Sequence, residues 1–175
     1  LIIYNIAKKE LRRDLVIIGI IQLLCVIAGT VIVERSRPIA VVYADGIFFT
    51  VTYQRYEQAG IDTDAVSLLQ QSKPVRINLK LPQDLAEKAK MIISLAQSGK
   101  IDVATSLYQP FSEALPLLPK EGKSIEAAER LGVSFPSRFK KDIFRVFRLQ
   151  TRYGAYLVVV DSRNGEFLAL ADDPS

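Results

Sequence analysis

The sequence predicts an α+β chain: an N-terminal transmembrane helix, then an antiparallel-sheet domain with helices inserted in the middle. Three observations predict it. Residues 15–33 form an apolar run without a charge. The turn pairs Asp45-Gly46 and Asn164-Gly165 lie within β-rich stretches near the two ends of the chain beyond that run. Between those stretches, apolar residues recur at helical spacing. The chain divides accordingly into a lead-in (1–14), a transmembrane helix (15–33) and an extracytoplasmic α+β domain (34–175).

The lead-in opens on Leu1-Ile2-Ile3-Tyr4, which reads as the end of a preceding membrane segment, and continues as a basic cytoplasmic loop. The 19 uncharged residues from Leu15 to Val33 span about 28 Å as a helix, against roughly 30 Å of hydrocarbon in a bilayer. A buried helix of a soluble core fits poorly, because the run has no polar face. A cleavable signal peptide also fits poorly: the apolar stretch is too long, and no small-residue cleavage site comes after it. Lys8, Lys9, Arg12 and Arg13 precede the helix, whereas Arg35 and Arg37 come after it. The positive-inside rule therefore places the lead-in in the cytoplasm and the C-terminal domain outside. Gln22, Cys25 and Gly29 fall on one face of the helix. They form either a docking stripe for another membrane helix or a scatter of small residues tolerated in a single span.

Arg37-Pro38 ends the helix and starts an extended stretch. Ile39–Tyr43 and Ile47–Tyr53 flank Asp45-Gly46, a hairpin pattern. Phe48 and Phe49 are adjacent, so a regular strand sends one inward and the other outward. Asp64–Gln71 reads as a short helix capped by Asp62 or Thr63. Val75–Leu81 alternates as a half-buried strand. Leu85–Ser98 is an amphipathic helix with Leu85, Ala89, Ile92 or Ile93, and Ala96 turned inward. Lys100–Gly122 holds three prolines and reads as a loop with at most a short helix. Ser124 caps a helix over Ile125–Leu131. Phe144–Thr151 reads as a strand, with helix as the alternative. Ala155–Val160 and Glu166–Leu170 close the domain as a second hairpin around Asn164-Gly165.

Composition excludes several chemistries. The chain has no histidine and one cysteine, Cys25. Histidine triads, histidine-ligated zinc, CxxC redox chemistry and an intramolecular disulfide are therefore impossible within it. Net charge is +4 and the pI about 9.2; no nucleic-acid recognition motif accompanies them. Ser72-Lys73 and Lys123-Ser124 have no Ser-x-x-Lys setting and read as turn and cap residues. Asp62 and Asp64 lack the other ligands of a calcium loop, and Asp172-Asp173 reads as a solvated tail. No catalytic, cofactor-binding or metal-binding residue is expected, and no small-molecule substrate. Residues 138–152 are basic and aromatic. On a helix, Lys141, Arg145, Arg148 and Arg152 would form a stripe for anionic lipid or an acidic partner. The plainer expectation is a solvated face over a Phe139, Val146 and Phe147 core.

Several pieces together resemble the TfpX/TfpZ family of type IV pilin accessory proteins. The carrying residues are Lys8-Lys9, Leu11-Arg12-Arg13-Asp14-Leu15 and Ile20-Ile21-Gln22-Leu23. Then come Arg37-Pro38 leading to Val41-Val42-Tyr43, and Asp45-Gly46-Ile47-Phe48. Near the end stand Arg152-Tyr153-Gly154, Val158–Asp161 and Asn164-Gly165-Glu166. The resemblance covers nearly the whole chain, and its specificity lies in order and spacing. It implies an inner-membrane, chaperone-like factor with a periplasmic domain that binds a type IV pilin subunit and promotes pilus assembly. The partner-binding residues expected are Gln22, Cys25 and Gly29 in the membrane and Phe48, Phe49 and Tyr53 on the hairpin. The alternative is a membrane-tethered sensory or ligand-binding domain, which predicts a deep pocket between helix Leu85–Ser98 and the sheet.

Overall fold

The computed structural model describes residues 9–63, 74–130, 132–139 and 142–174. The expectations for Leu1–Tyr4, the helix Asp64–Gln71, Ser72-Lys73 and Lys141 fall outside the described residues. Two compact units are present, Leu1–Arg37 and Pro38–Ser175.

The first unit is helix α1, Lys9–Ser36. Its segment Arg13–Ser36 has a mean hydropathy of 2.8 and buries none of its side chains, so it is long and apolar enough to cross a membrane. The Thr30 hydroxyl donates to the Val26 carbonyl at 2.9 Å, which satisfies a polar group within the helix itself.

The second unit is an α+β domain, as expected. Its described residues form a seven-stranded sheet ordered β4-β3-β1-β2-β5-β6-β7. The strands are β1 (Pro38–Ala44), β2 (Ile47–Thr52), β3 (Val75–Leu79), β4 (Tyr108–Pro110), β5 (Phe144–Thr151), β6 (Gly154–Asp161) and β7 (Glu166–Asp172). The helices are α2 (Tyr53–Gln58), α3 (Leu85–Gln97), α4 (Leu118–Glu121) and α5 (Ile125–Glu129). Asp45 and Gly46 take φ of 47° and 78°, so the β1–β2 turn is of the mirror-image type that Asp-Gly favours. The β6–β7 hairpin also forms where it is expected.

The sheet is mixed rather than purely antiparallel. β1 pairs β3 in parallel, and β2 pairs β5 in parallel. A tight turn fixes antiparallel pairing only between the two strands it joins. Longer excursions through helices allow a strand to return in the same direction. The turn, β2 and residues 53–74 separate β1 from β3, and residues 53–143 separate β2 from β5.

Local differences have local causes. Tyr53 starts helix α2 rather than ending β2, because the Thr52 hydroxyl accepts from the Arg55 amide at 3.3 Å as an N-cap. Lys100–Gly122 is more ordered than a loop. It holds 3-10 turns at Thr105–Leu107 and Phe111–Ala114, strand β4 and helix α4. Phe144–Thr151 is a strand, so the helical stripe of Arg145, Arg148 and Arg152 does not form. Those side chains separate instead: Arg145 Nε donates to the Pro119 carbonyl at 3.1 Å, and Arg148 Nε meets Asp173 Oδ2 at 2.8 Å.

Helix α3 is capped by Asp84, whose Oδ1 accepts from the Ala86 and Glu87 amides at 3.0 and 2.9 Å. Its expected inward face is corrected except at Ile92, which is half-buried. Leu85 and Ile93 are 80% and 56% exposed, and Ala89 and Ala96 are also exposed. Leu95 is the residue that packs on the core. The apolar arc is wider than the strip the sheet covers, and Lys88, ion-paired with Asp45, helps fix which part faces in.

Both faces of β1 are covered. Ala40, Val42 and Ala44 join Val51, Tyr56, Ile77 and Val103 on one side. Val41 and Tyr43 join Phe48, Phe111, Leu118 and Phe147 on the other. A third cluster unites Ile125, Val133, Phe135 and Phe139 with Val146 and Val159. Phe48 is the hub of the second cluster, with ring centroids 4.8 Å from Tyr43, 5.3 Å from Phe147 and 4.9 Å from Phe167. Phe48→Ala is expected to lower stability by about 3–5 kcal/mol, measured by equilibrium denaturation of the detergent-solubilised chain.

Burial raises the phenol of Tyr56 to about 12 from its ordinary 10. Burial first, then the Glu121 hydrogen bond, also pushes Tyr43 up. The folded state thus resists ionisation of these groups. Their contribution is complete below about pH 10, where an unfolded tyrosine begins to ionise, and is lost as pH rises through the folded values. Stability is therefore expected to fall above pH 10, and Tyr56→Phe to lessen that fall, in denaturant melts repeated across alkaline pH.

Candidate functional site

The ladder between β2 and β5 covers Ile47↔Arg148, Phe48↔Leu149 and Phe49↔Gln150, and goes no further. Beyond it β2 runs on to Thr52 and turns into α2, while β5 ends in the turn at Arg152-Tyr153. A cleft of about 300 Å³ opens where they part, lined by Phe49, Thr50, Gln54, Arg55, Gln150 and Arg152 among others. Amide, hydroxyl and guanidinium groups line it together with one aromatic ring. This is the chemistry of a polar recognition surface.

Two hydrogen-bonded contacts define its walls. Arg55 grips Asp102 with a fork: Nε to Oδ2 at 2.8 Å and Nη2 to Oδ1 at 3.0 Å. It also donates to the Gly99 carbonyl. The Asp102 hydrogen bond raises the Arg55 guanidinium further above its ordinary value, so the charge is fixed. This fork ties the first turn of α2 to the loop that leaves α3. Across the mouth, Arg152 Nη1 donates to Gln54 Oε1 at 2.7 Å, joining α2 to the β5–β6 turn. Behind the fork, Tyr108 donates to the Asp102 carbonyl at 2.6 Å and shares a 3.0 Å hydrogen bond with buried Tyr56.

The residues expected from the sequence distribute plainly. Phe48 is wholly buried and is the core member of its pair. Phe49 is half-buried and lines the cleft. Tyr53 is 40% exposed and opens α2 beside Gln54. Gln22, Cys25 and Gly29 are exposed along α1. Arg55, Asp102 and Gln150 carry no signal as site residues in the sequence, and Arg152 carries one only as part of a helical stripe that does not form. They come from three distant segments, and no local pattern links them. A second hollow, about 680 Å³, lies against the first turn of α3 and is lined by Tyr43, Asn78, Leu79, Lys88 and Glu121 among others. Among the described residues, no group of three or more acidic, cysteine or histidine side chains gathers to hold a metal. Compared with family models, curated proteins and solved structures, the chain finds no match.

The fork is expected to act as a unit. Asp102→Ala should cost about 1–2 kcal/mol, since it leaves the half-buried Arg55 guanidinium short of its main acceptor. Arg55→Ala added to that variant should cost less than it does alone. A double-mutant cycle in denaturant reads both.

Proposed function

We propose that this chain is a membrane-anchored binding protein, an accessory factor that engages a type IV pilin subunit and promotes pilus assembly. The observation that carries the proposal is the helix Arg13–Ser36, apolar and without a buried side chain, leading after Arg37 into a β-rich domain. A pilin is itself anchored by an apolar helix before it enters the fibre. A partner that shares the membrane meets it at high effective concentration, so each contact can be weak. Gln22, Cys25 and Gly29 are the contacts proposed within the bilayer. Phe49, at the cleft, and Tyr53, exposed at the start of α2, are the contacts proposed outside it. In this proposal the domain faces the periplasm, in accord with the four basic residues before the helix and two after it. The protein binds rather than catalyses.

A second function, a membrane-tethered ligand-binding domain, is favoured by one specific observation: the two hollows beside Arg55 and beside α3. It differs in its expectation. A small molecule would stabilise the domain saturably, and no pilin would be needed.

Photo-crosslinkers placed at Gln22, Phe49 and Tyr53 in cells are expected to capture pilin at one site or more. Recovery of no pilin from any of the three would remove the proposal. Orientation has its own check. In a Cys25→Ser, Tyr153→Cys chain, an impermeant maleimide should label intact spheroplasts; protection until lysis would place the domain inside the cell.

A further inference from the structure

The two edges of the sheet are treated differently. At one edge, β4 is three residues long and ends in Pro110, which has no N–H to offer. At the other, β7 runs seven residues, Glu166-Phe-Leu-Ala-Leu-Ala-Asp172. Its five central residues carry no charge, and it contains neither proline nor lysine, the usual guards of an exposed edge. Among the described residues, its main-chain ladder comes from β6 alone. A bulge at Leu168 interrupts the register. From Ala169 to Asp172 the pairing with β6 is regular, Ala169↔Val159 through Asp172↔Tyr156, and among the described residues no strand pairs with the opposite edge of that stretch. Leu170 is 58% exposed within it.

We infer that the free edge of β7 is a docking edge for an extended segment of a partner protein, apolar in its middle and carrying lysine or arginine at its ends. Main-chain hydrogen bonds to the open edge supply affinity, and alternate side chains beside Leu170 supply selectivity. Charge fixes the occupant. Glu166 and Asp172 are exposed at the two ends of the strand, and no basic residue lies between them. A second copy of this chain, paired antiparallel about Ala169, would set Glu166 against Asp172 twice, and directly opposed like charges oppose pairing. Basic ends on the incoming strand turn those same two positions into attractions. The inference rests on β7 alone and does not depend on pilin being the partner.

The probe is a fluorescent seven-residue peptide of alternating valine and threonine with a lysine at each end, titrated by polarisation against the full chain in detergent. The lysine-ended peptide is expected to bind roughly tenfold more tightly than its glutamate-ended counterpart, about the effect of exchanging two cross-strand attractions for repulsions. Glu166→Lys combined with Asp172→Lys should invert that order. Leu170→Lys should weaken the lysine-ended peptide roughly tenfold, and N-methylation of alternate peptide amides should abolish binding. Equal affinity for both peptides, survival of binding after N-methylation, or pairing of two copies through β7 to the exclusion of the peptide would each overturn the inference.

Discussion

Strand β1 packs against the core on both of its faces, and that constraint dictates the placement of the other elements. An uninterrupted run from Ala40 to Ala44 is buried. Such a run cannot tolerate water on either side, so the chain has to supply two layers. One layer comes from α2 and the residues after α3; the other comes from Phe111, Leu118 and the far strands. Tyr43 shows how the two demands meet. Its ring is 5.9 Å from Phe147 and edge-on to Phe111, while its hydroxyl donates to Glu121 of α4. An aromatic body thus packs the interior, and its one polar atom finds a carboxylate at the rim.

The same economy recurs where distant segments are tied. Arg76 of β3 donates to the Gly165 carbonyl at 2.7 Å and stacks over Phe111. Asp161 accepts both a backbone and a side-chain hydrogen bond from Arg163, which holds its carboxyl below the ordinary value and fixes the β6–β7 loop. Gly122 stands where any side chain would strike Arg145 and the Phe147 ring, so the isolated bridge Lys123↔Val146 can close α4 onto β5. These contacts leave the cleft beside Phe49 as the place where the sheet itself comes apart. Recognition is a natural use for such a gap, since polar groups there are already held in position.

Much of this is legible in the residues. The uncharged run 15–33, the Asp45-Gly46 turn, the strand after Pro74 and the closing hairpin are local patterns, and local patterns survive folding; β3 is nevertheless not half-buried, since Asn78 is buried along with Ile77 and Leu79. Pairing direction is not legible, because nothing in β2 or β5 states which neighbour it will meet. The inward face of α3 departs from expectation for a related reason. Its hydrophobic arc is a property of the helix, but how much of it is covered is a property of the sheet. Arg55 and Asp102 lie in stretches without pattern, and only the fold brings their charges together. Of the pair Phe48 and Phe49, alternation correctly sends the two to opposite faces, but both faces are covered: Phe48 is wholly buried and Phe49 is half-buried against the other core cluster.

The order of the strands has a consequence for how the domain is made. The hairpin β1–β2 leaves the ribosome early, yet its parallel neighbour on one side is β5, with Ile47 waiting for Arg148. Until that distant stretch arrives, one long flank of a very apolar hairpin has no cover. Topologies of this kind, rich in contacts between remote parts of the chain, fold slowly and expose sticky intermediates on the way. The vulnerable interval in the life of this molecule is therefore its synthesis, and helpers that shield a nascent hairpin would matter most before β5 emerges.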